Sequence, residues 1–566
     1  MSEKNKSIHL LLITVLCFGF AAFGCSSQSK STNVTTSGQP SSTTTTAATT
    51  TATPAATPVA PSDVPAVVGT PSIAQSSPGT VTDSSSLETV PNLNLPIDID
   101  PSTTTTDAKP ADGSAADFYQ KGLASAKRED FKSAEELWRK SIELDPKNFA
   151  VHSNLGELLQ RQGKLDEATS QYREALRLKS DDVETVMKLA VALGQQKKFD
   201  ESIAQSQTAI RLKPDLAPAH IVLAAGLSGQ GKDNEAIESL KKAQSLWKKQ
   251  GRTEQVAAVQ LQMASLLGKQ GNFAEASTQL KQAIALKPDF APAYILSAQI
   301  AMRQGKPEET VSNLQKAKDL FKKQQQVNQS AAVQWELAML LARQKQYDRA
   351  SAQAKELLAT KPDFAPAYML VSEVALRQGK PEAAVTNLQK AKDLWKKQQQ
   401  NDQLAATQIQ LAAVLGQQKK YDRANAEAKE VLQLKPDFAP AYLLISEVAL
   451  QEGKPEEAVT NLQKAKDLLK KQQQIDQLAA TQMRLAAIFG QQKKYNEASA
   501  EARELLQSKP NFAPAYLILG EVAKQQNNNS EAIANWQKAK ELLTTQGRNE
   551  DAQRIDSMIQ QLNTKQ

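Results

Sequence analysis

Cysteine is almost missing from this chain. Among 566 residues only Cys17 and Cys25 carry a thiol, and both lie in the first 25 positions. Downstream of them no disulfide, thiolate metal site or cysteine nucleophile can be built. Histidine is nearly as scarce, with only His9, His152 and His220, which removes most metal-binding and general-base chemistry. Aromatic residues make up 5% and glycines number 23, which gives little sign of a strand-rich or large mixed core. No phosphate-binding glycine loop, zinc-protease helix or G-x-S-x-G elbow occurs. Acidic pairs such as Glu308-Glu309 follow a proline in "GKPEET" and suit the positive end of a starting helix. The sequence predicts no enzyme, no cofactor and no metal.

The first 24 residues read as an export signal. Lys4 and Lys6 give a positive start, and the 16 positions from Ile8 to Phe23 are apolar apart from His9, Thr14 and small residues. A spanning helix needs about 20. The stretch ends in "AAFGC", where Gly24-Cys25 resembles the lipobox of bacterial lipoproteins, although Phe23 departs from the usual small or β-branched residue. That resemblance implies cleavage after Gly24 and acylation of Cys25. Ala22-Phe23-Gly24 also fits an ordinary small-residue cleavage site, which would leave Cys25 unmodified. With Cys25 acylated, the expectation is an exported chain, lipid-anchored to a bacterial envelope membrane on its periplasmic or cell-surface side.

Residues 25–114 change character. Ser and Thr supply 36 of the 89 residues from Ser26 to Ser114, and Phe, Tyr and Trp are absent there. Such a segment cannot bury enough apolar surface to offset chain entropy, which predicts a disordered tether. Its root-mean-square reach is roughly 50 Å. One stretch, "PNLNLPIDID", alternates Leu93, Leu95, Ile97 and Ile99; it reads as plain linker, or as a segment able to add a strand to a partner's sheet edge.

From Ala115 the chain repeats itself. KPDFAPAY stands at 287–294, 361–368 and 435–442, with KPNFAPAY at 509–516 and KPDLAPAH at 213–220, always 74 residues apart. Aligned on Ala134, Ala168 and Ala276, helical units begin at 115, 149, 183, 217, 257, 291, 331, 365, 405, 439, 479 and 513. From 217 onward the steps alternate 40 and 34, so the repeating object is a pair of hairpins. The first unit has Gly122, Ala134, Trp138 and Pro146 at positions 8, 20, 24 and 32; the second has Leu155, Gly156, Ala168, Tyr172 and Ala175 at 7, 8, 20, 24 and 27. This spacing resembles the tetratricopeptide repeat, a 34-residue pair of antiparallel helices. The resemblance implies an all-α fold, an α-solenoid of about twelve helical hairpins over 115–548. Residues 549–566 read as a capping helix and tail, with Ile555, Met558, Ile559 and Leu562 on one face.

The KPDFAPAY phrase reads as a joint. Pro288 stops the incoming helix and Pro292 suits the first turn of the next. With Ala291 as N-cap, Phe290 and Ile295 occupy the positions of a hydrophobic staple. The other junctions read "KKQQQ", all good helix formers, so the second helix is expected to run on through six extra residues, about 9 Å. Gly251 and Gly547 would bend two of these extensions. Trp247, Phe321, Trp395, Leu469 and Leu543 share one position there and are expected to pack on the following helix.

In the resembled family, positions 2, 5, 9 and 12 of the first helix line a groove, and members that grip a C-terminal carboxylate place Lys at 5 and Asn at 9. No position 5 here is basic. Candidates for an apolar peptide groove are Tyr119, Leu123, Trp335, Met339, Ile409, Ala413 and Met483. They would hold an extended or helical segment, or else pack against neighbouring helices. His152 and His220 fall on position 4, where the family buries an aromatic, and read as fillers. Charge offers a second surface: the chain is +7, of which the repeats carry +11 and the linker −5. The basic-edge candidates are Lys248, Lys249, Lys322, Lys323, Lys396, Lys397, Lys470 and Lys471. For an exported protein, acidic polymer or anionic lipid fits that edge, and nucleic acid does not.

The sequence therefore predicts a non-enzymatic scaffold or adaptor that binds protein partners of an envelope assembly and is held to the membrane by a lipid anchor. In this it is similar to repeat lipoproteins that support pilus biogenesis, outer-membrane assembly, polysaccharide export or wall-synthesis regulation. The alternative is an envelope protein that binds acidic polymer or anionic lipid through its basic edge.

Overall fold

The computed structural model describes residues 111–564. The predicted signal, Cys25, "PNLNLPIDID" and the tether as far as residue 110 lie outside them. Twenty-five helices follow one another from Ala115–Lys127 to Asn549–Asn563, with no strand among the described residues. They fall into two compact units. Residues 111–362 hold seven hairpins, and residues 363–564 hold five hairpins and the final helix. Within each unit consecutive helices pack in pairs. This is the all-α, solenoid-type fold that the repeat spacing implies.

Hairpin closure depends on a size match between two positions. A Cβ added at Gly122 would lie 2.4 Å from Trp138 Nε1, one at Gly156 2.8 Å from the Tyr172 ring, and one at Gly520 2.3 Å from Trp536 Cδ1. Those aromatic rings are 0–1% exposed. Where position 24 is leucine instead, as at Leu280 and Leu314, position 8 is alanine, Ala264 and Ala298, each no more than 1% exposed. At position 8 glycine thus stands only where an aromatic ring fills the space that a methyl would need.

Every turn between paired helices contains one residue in the left-handed region. Glycine supplies it at Gly163, Gly231, Gly271, Gly305, Gly379 and Gly453, but Lys197, Lys345, Lys419 and Lys493 hold φ near 60° as well. The backbone closes around each: Lys420 N donates to Leu415 O at 2.9 Å and Lys419 N to Gly416 O at 2.8 Å. These bonds satisfy carbonyls that a helix end leaves open.

The same turn corrects the expected long extension. The second helix does not run through the extra residues; it ends at Lys249, Lys323, Lys397 and Lys471. Gln325, Gln399 and Gln473 adopt φ of 56–58° and break the helix at the place where Gly251 and Gly547 break it in the other copies. Gln326 N donates to Phe321 O at 2.9 Å, and Gln400 N and Gln474 N make the matching bonds at 3.0 Å. The following helices start at Thr253, Val327, Asn401 and Ile475, four residues before the unit starts read from the spacing. Both flanking helices are therefore 17 residues long, against 13 or 14 at the 34-residue joints. Helix propensity favours one long helix; with the break, Leu469 and Phe321 are packed to 0% and 6% exposure. Leu469 packs with Leu478 of the following helix, as expected of that position.

The proline joint is also closed differently from expectation. The N-cap is Phe290 and Pro292 lies in the first turn. Phe290 joins the core cluster of the preceding hairpin and Ile295 that of the following one, and as the N-cap itself Phe290 does not stand at the staple position before the cap. Phe512 and Leu517 divide in the same way. The joint is held by polar contacts. Tyr294 and Tyr516 donate their hydroxyls to the carbonyls of Pro288 and Pro510 at 3.2 and 3.1 Å. Lys287, Lys435 and Lys509 lie 5.6–5.9 Å from the rings of Phe290, Phe438 and Phe512. The final helix buries Ile555 and Leu562 against the last hairpin, with Met558 and Ile559 partly covered.

Candidate functional site

Within each unit the first helices of successive hairpins touch directly at the 34-residue joints: Thr253–Lys269 on Ala291–Arg303, Asn401–Gln417 on Ala439–Gln451, and Ile475–Gln491 on Ala513–Gln525. Second helices make no backbone approach of that extent and are bridged by long side chains instead. Lys318 reaches Glu356 at 3.1 Å, Lys392 reaches Glu427 and Glu430 at 2.7 and 3.2 Å, and Lys466 reaches Glu501 and Glu504 at 2.8 and 3.0 Å. Burial opposes the Lys392 charge, yet the Glu427 and Glu430 contacts outweigh it and raise its pKa. Burial pushes the Glu501 carboxyl up, against the pull of Lys466.

The groove candidates separate into two groups. Trp335, Met339, Ile409, Ala413 and Met483 are half-buried on first helices. Ile409 and Ala413 lean on one core cluster and Met483 on another. Tyr119 and Leu123 are not accessible: they are 1% and 6% exposed, inside the core with Val151, Leu155 and Leu158. Asn154 Nδ2 also donates to Tyr119 Oη at 3.0 Å. This corrects their assignment to a groove. The second helix-pair covers them, and nearby polar groups close on each other, with Ser153 and Thr185 hydroxyls 2.9 Å apart.

Sequence reasoning missed a buried ion pair on this face. Lys188, 6% exposed, sits 3.0 Å from Glu157 and 2.6 Å from Glu184, and Arg161 holds Glu157 from its other side at 2.8 Å. Burial works against the Lys188 charge, and the two glutamates more than compensate, so its pKa is raised. Lys188 stands at position 6, outside the positions scanned for a basic residue. The glutamates at position 9 are likewise engaged within the chain: Glu373 with Arg377 at 3.0 Å, Glu447 with Arg484 at 3.8 Å and Glu521 with Lys524 at 3.5 Å.

All eight basic-edge lysines are exposed. Lys322, Lys396 and Lys470 pair with Glu356, Glu430 and Glu504 at 3.4, 3.8 and 2.9 Å, which cancels part of that edge. The histidines serve structure. His152 lies 2.7 Å from Gln171 Oε1 and 3.1 Å from Pro146 O, the carbonyl that the joint tyrosines reach in other copies. Burial, then Lys242, lowers the pKa of His220. Among the described residues no cluster of acids and histidines could hold a metal ion, and no helix is long and apolar enough to cross a membrane.

Models of the tetratricopeptide repeat match residues 215–289 and 363–437; 137–169; and 154–217, 261–321 and 409–471. No curated protein matches the chain. Among solved structures, Pseudomonas aeruginosa pilF is 22% identical over 37% of this chain and 92% of its own, with a TM-score of 0.31. Yeast Tom70 is 16% identical over 80% of this chain and 96% of its own, at 0.33. A tetratricopeptide repeat protein of Parabacteroides merdae is 19% identical over 52% of this chain and 98% of its own, at 0.32. At scores of this size the likeness says nothing of partner or process. With repeat models matching 137–321 and 363–471, more than half its length, the chain belongs to the tetratricopeptide repeat family.

Proposed function

We propose that this protein is a scaffold of the bacterial cell envelope that holds apolar segments of protein partners on its first helices. Tetratricopeptide repeats in general serve as protein–protein interaction scaffolds and are typically non-catalytic. The observation that supports the finer reading is that each unit carries half-exposed apolar residues on its first helices, Trp335 and Met339 in one and Ile409 and Met483 in the other, while the position-9 acids Glu373 and Glu447 are paired within the chain. Adaptable side chains such as Met and Trp suit a surface that takes apolar anchors. Anchoring rests on Gly24-Cys25: acylation of Cys25 would tether the repeats through the Ser/Thr-rich segment.

The test is capture from detergent-solubilised envelopes with wild type and Ile409→Glu at low and high salt. A defined protein that is kept at high salt and lost with the variant supports the groove. Material that ignores the variant and washes off in salt moves the function to the basic edge. Fatty-acid labelling of wild type against Cys25→Ser tests the anchor; equal labelling of both rules it out.

A further inference from the structure

One copy of the 74-residue pattern differs from its sisters at a cluster of positions between two second helices. In three later copies a lysine of the long second helix (Lys318, Lys392 or Lys466) fills the space beside the next second helix and pairs with acids there. In the earliest copy the matching residue is Gln244, and the acids are replaced by Gln279 and Gln282. A cavity of about 640 Å³ stands there, lined by Gln244, Lys248, Arg252, Thr253, Gln260 and Gln282 among others.

Its chemistry is uneven. Gln260 is 3% exposed; its Nε2 donates to Gln282 Oε1 at 2.8 Å, and its Oε1 has no partner. Gln279 Oε1 is likewise buried without one. Lys248 is exposed and forms no ion pair, because the glutamate that takes Lys322, Lys396 and Lys470 elsewhere is Gln282 here. Arg252 replaces a glutamine, Gln326, Gln400 or Gln474, and also forms none. The helix Thr253–Lys269 opens its positive end onto this place, and the carboxylate of its first turn, Glu254, is drawn to Lys287 at 3.1 Å. A lysine-filled joint has thus become an open site with two unpaired cations; the unpartnered Gln260 oxygen has counterparts in Gln408 and Gln482 of the sister copies, but here it belongs to a residue that lines a cavity.

We propose that this cavity binds a polyhydroxylated anion, such as a sugar acid. The anionic group lies between Lys248 and Arg252, and hydroxyls meet the glutamines. A hydroxyl both donates and accepts, so it satisfies an amide in either orientation, which a bare carboxylate or an ammonium does not. The site is independent of the first-helix groove.

The test uses the full chain at low ionic strength, with calorimetric titration of glucuronate and of an oligogalacturonate. Sulfate is the hydroxyl-free anion and glucose the uncharged polyol. Glucuronate is expected to bind at least tenfold tighter than either comparator. Lys248→Ala with Arg252→Ala should weaken it at least tenfold. Gln244→Lys with Gln279→Glu and Gln282→Glu rebuilds the closed joint and should abolish binding while leaving thermal stability equal or higher. Tighter binding of the oligomer identifies an acidic polysaccharide as the source; equal binding identifies a free sugar acid. Glucuronate no tighter than sulfate, no binding of either uronate, or unchanged binding by the rebuilt joint overturns the proposal.

Discussion

Trp536 lies over Gly520 so closely that a methyl group on the glycine would come within 2.3 Å of the ring. The ring is 1% exposed and has nowhere to retreat. Gly520→Ala should therefore destabilise the chain by about 1–3 kcal/mol through overpacking. Trp536→Leu should cost at least as much by leaving a cavity. Together they recreate the alanine–leucine match of Ala298 and Leu314, so the double variant should lose less than the sum. Urea denaturation of the four proteins reads this coupling; additive losses would contradict the size match.

The left-handed glutamines make a prediction whose sign is informative. Gln399 holds φ of 57° at the break between two helices. Gln399→Gly should stabilise by up to about 1 kcal/mol, since glycine bears no Cβ penalty there. A continuous helix through this point would instead lose about 1 kcal/mol to glycine. Thermal unfolding decides between the two.

Glu336 carries a pH dependence. Burial pushes its carboxyl up from 4.5 to about 7, with Arg343 opposing only in part, and its Oε2 has no partner. The folded chain thus holds this proton more tightly than the unfolded chain. Stability from this group is present below about pH 4.5, falls as pH rises toward 7, and is flat beyond. Glu336→Gln should remove the slope and stabilise the protein at pH 8 by on the order of 2 kcal/mol, with little change at pH 4.5. Equal stability of variant and wild type across that range would refute the assignment.

The joint tyrosines should be worth little each. Tyr516→Phe removes one partly exposed hydrogen bond to Pro510 and should cost about 0.5 kcal/mol, the low end for such bonds. Hydrogen exchange at Ala515 N–H, which donates to Phe512 O, would report the loosened joint before global unfolding does.

The repeat, its unit starts at the 34-residue joints and the final helix were legible because proline, alanine and aromatic spacing report backbone geometry directly. The break at "KKQQQ" was not, because nothing in the letters Gln325 or Gln399 marks a left-handed residue; the tertiary packing of Leu469 and Phe321 overrides their helical preference. At the site, positions 5 and 9 located the half-exposed Ile409 and Met483. They misplaced Tyr119 and Leu123, which the next hairpin takes into a core with Val151, Leu155 and Leu158. Lys188 was invisible for a related reason: a buried cation is recognised by the acids around it, and those come from two helices.

The sharing of six extra residues between two helices has a consequence for how such a chain can change length. Long and short junctions alternate, so a crossover that removes 34 or 40 residues would set two junctions of one kind side by side. Removal of residues 439–512, one full period, instead rejoins 438 to 513 and restores the phrase at a proline joint unaltered. The natural unit of change in this chain is thus the double hairpin, which can be added or removed as one whole period with the proline joint kept.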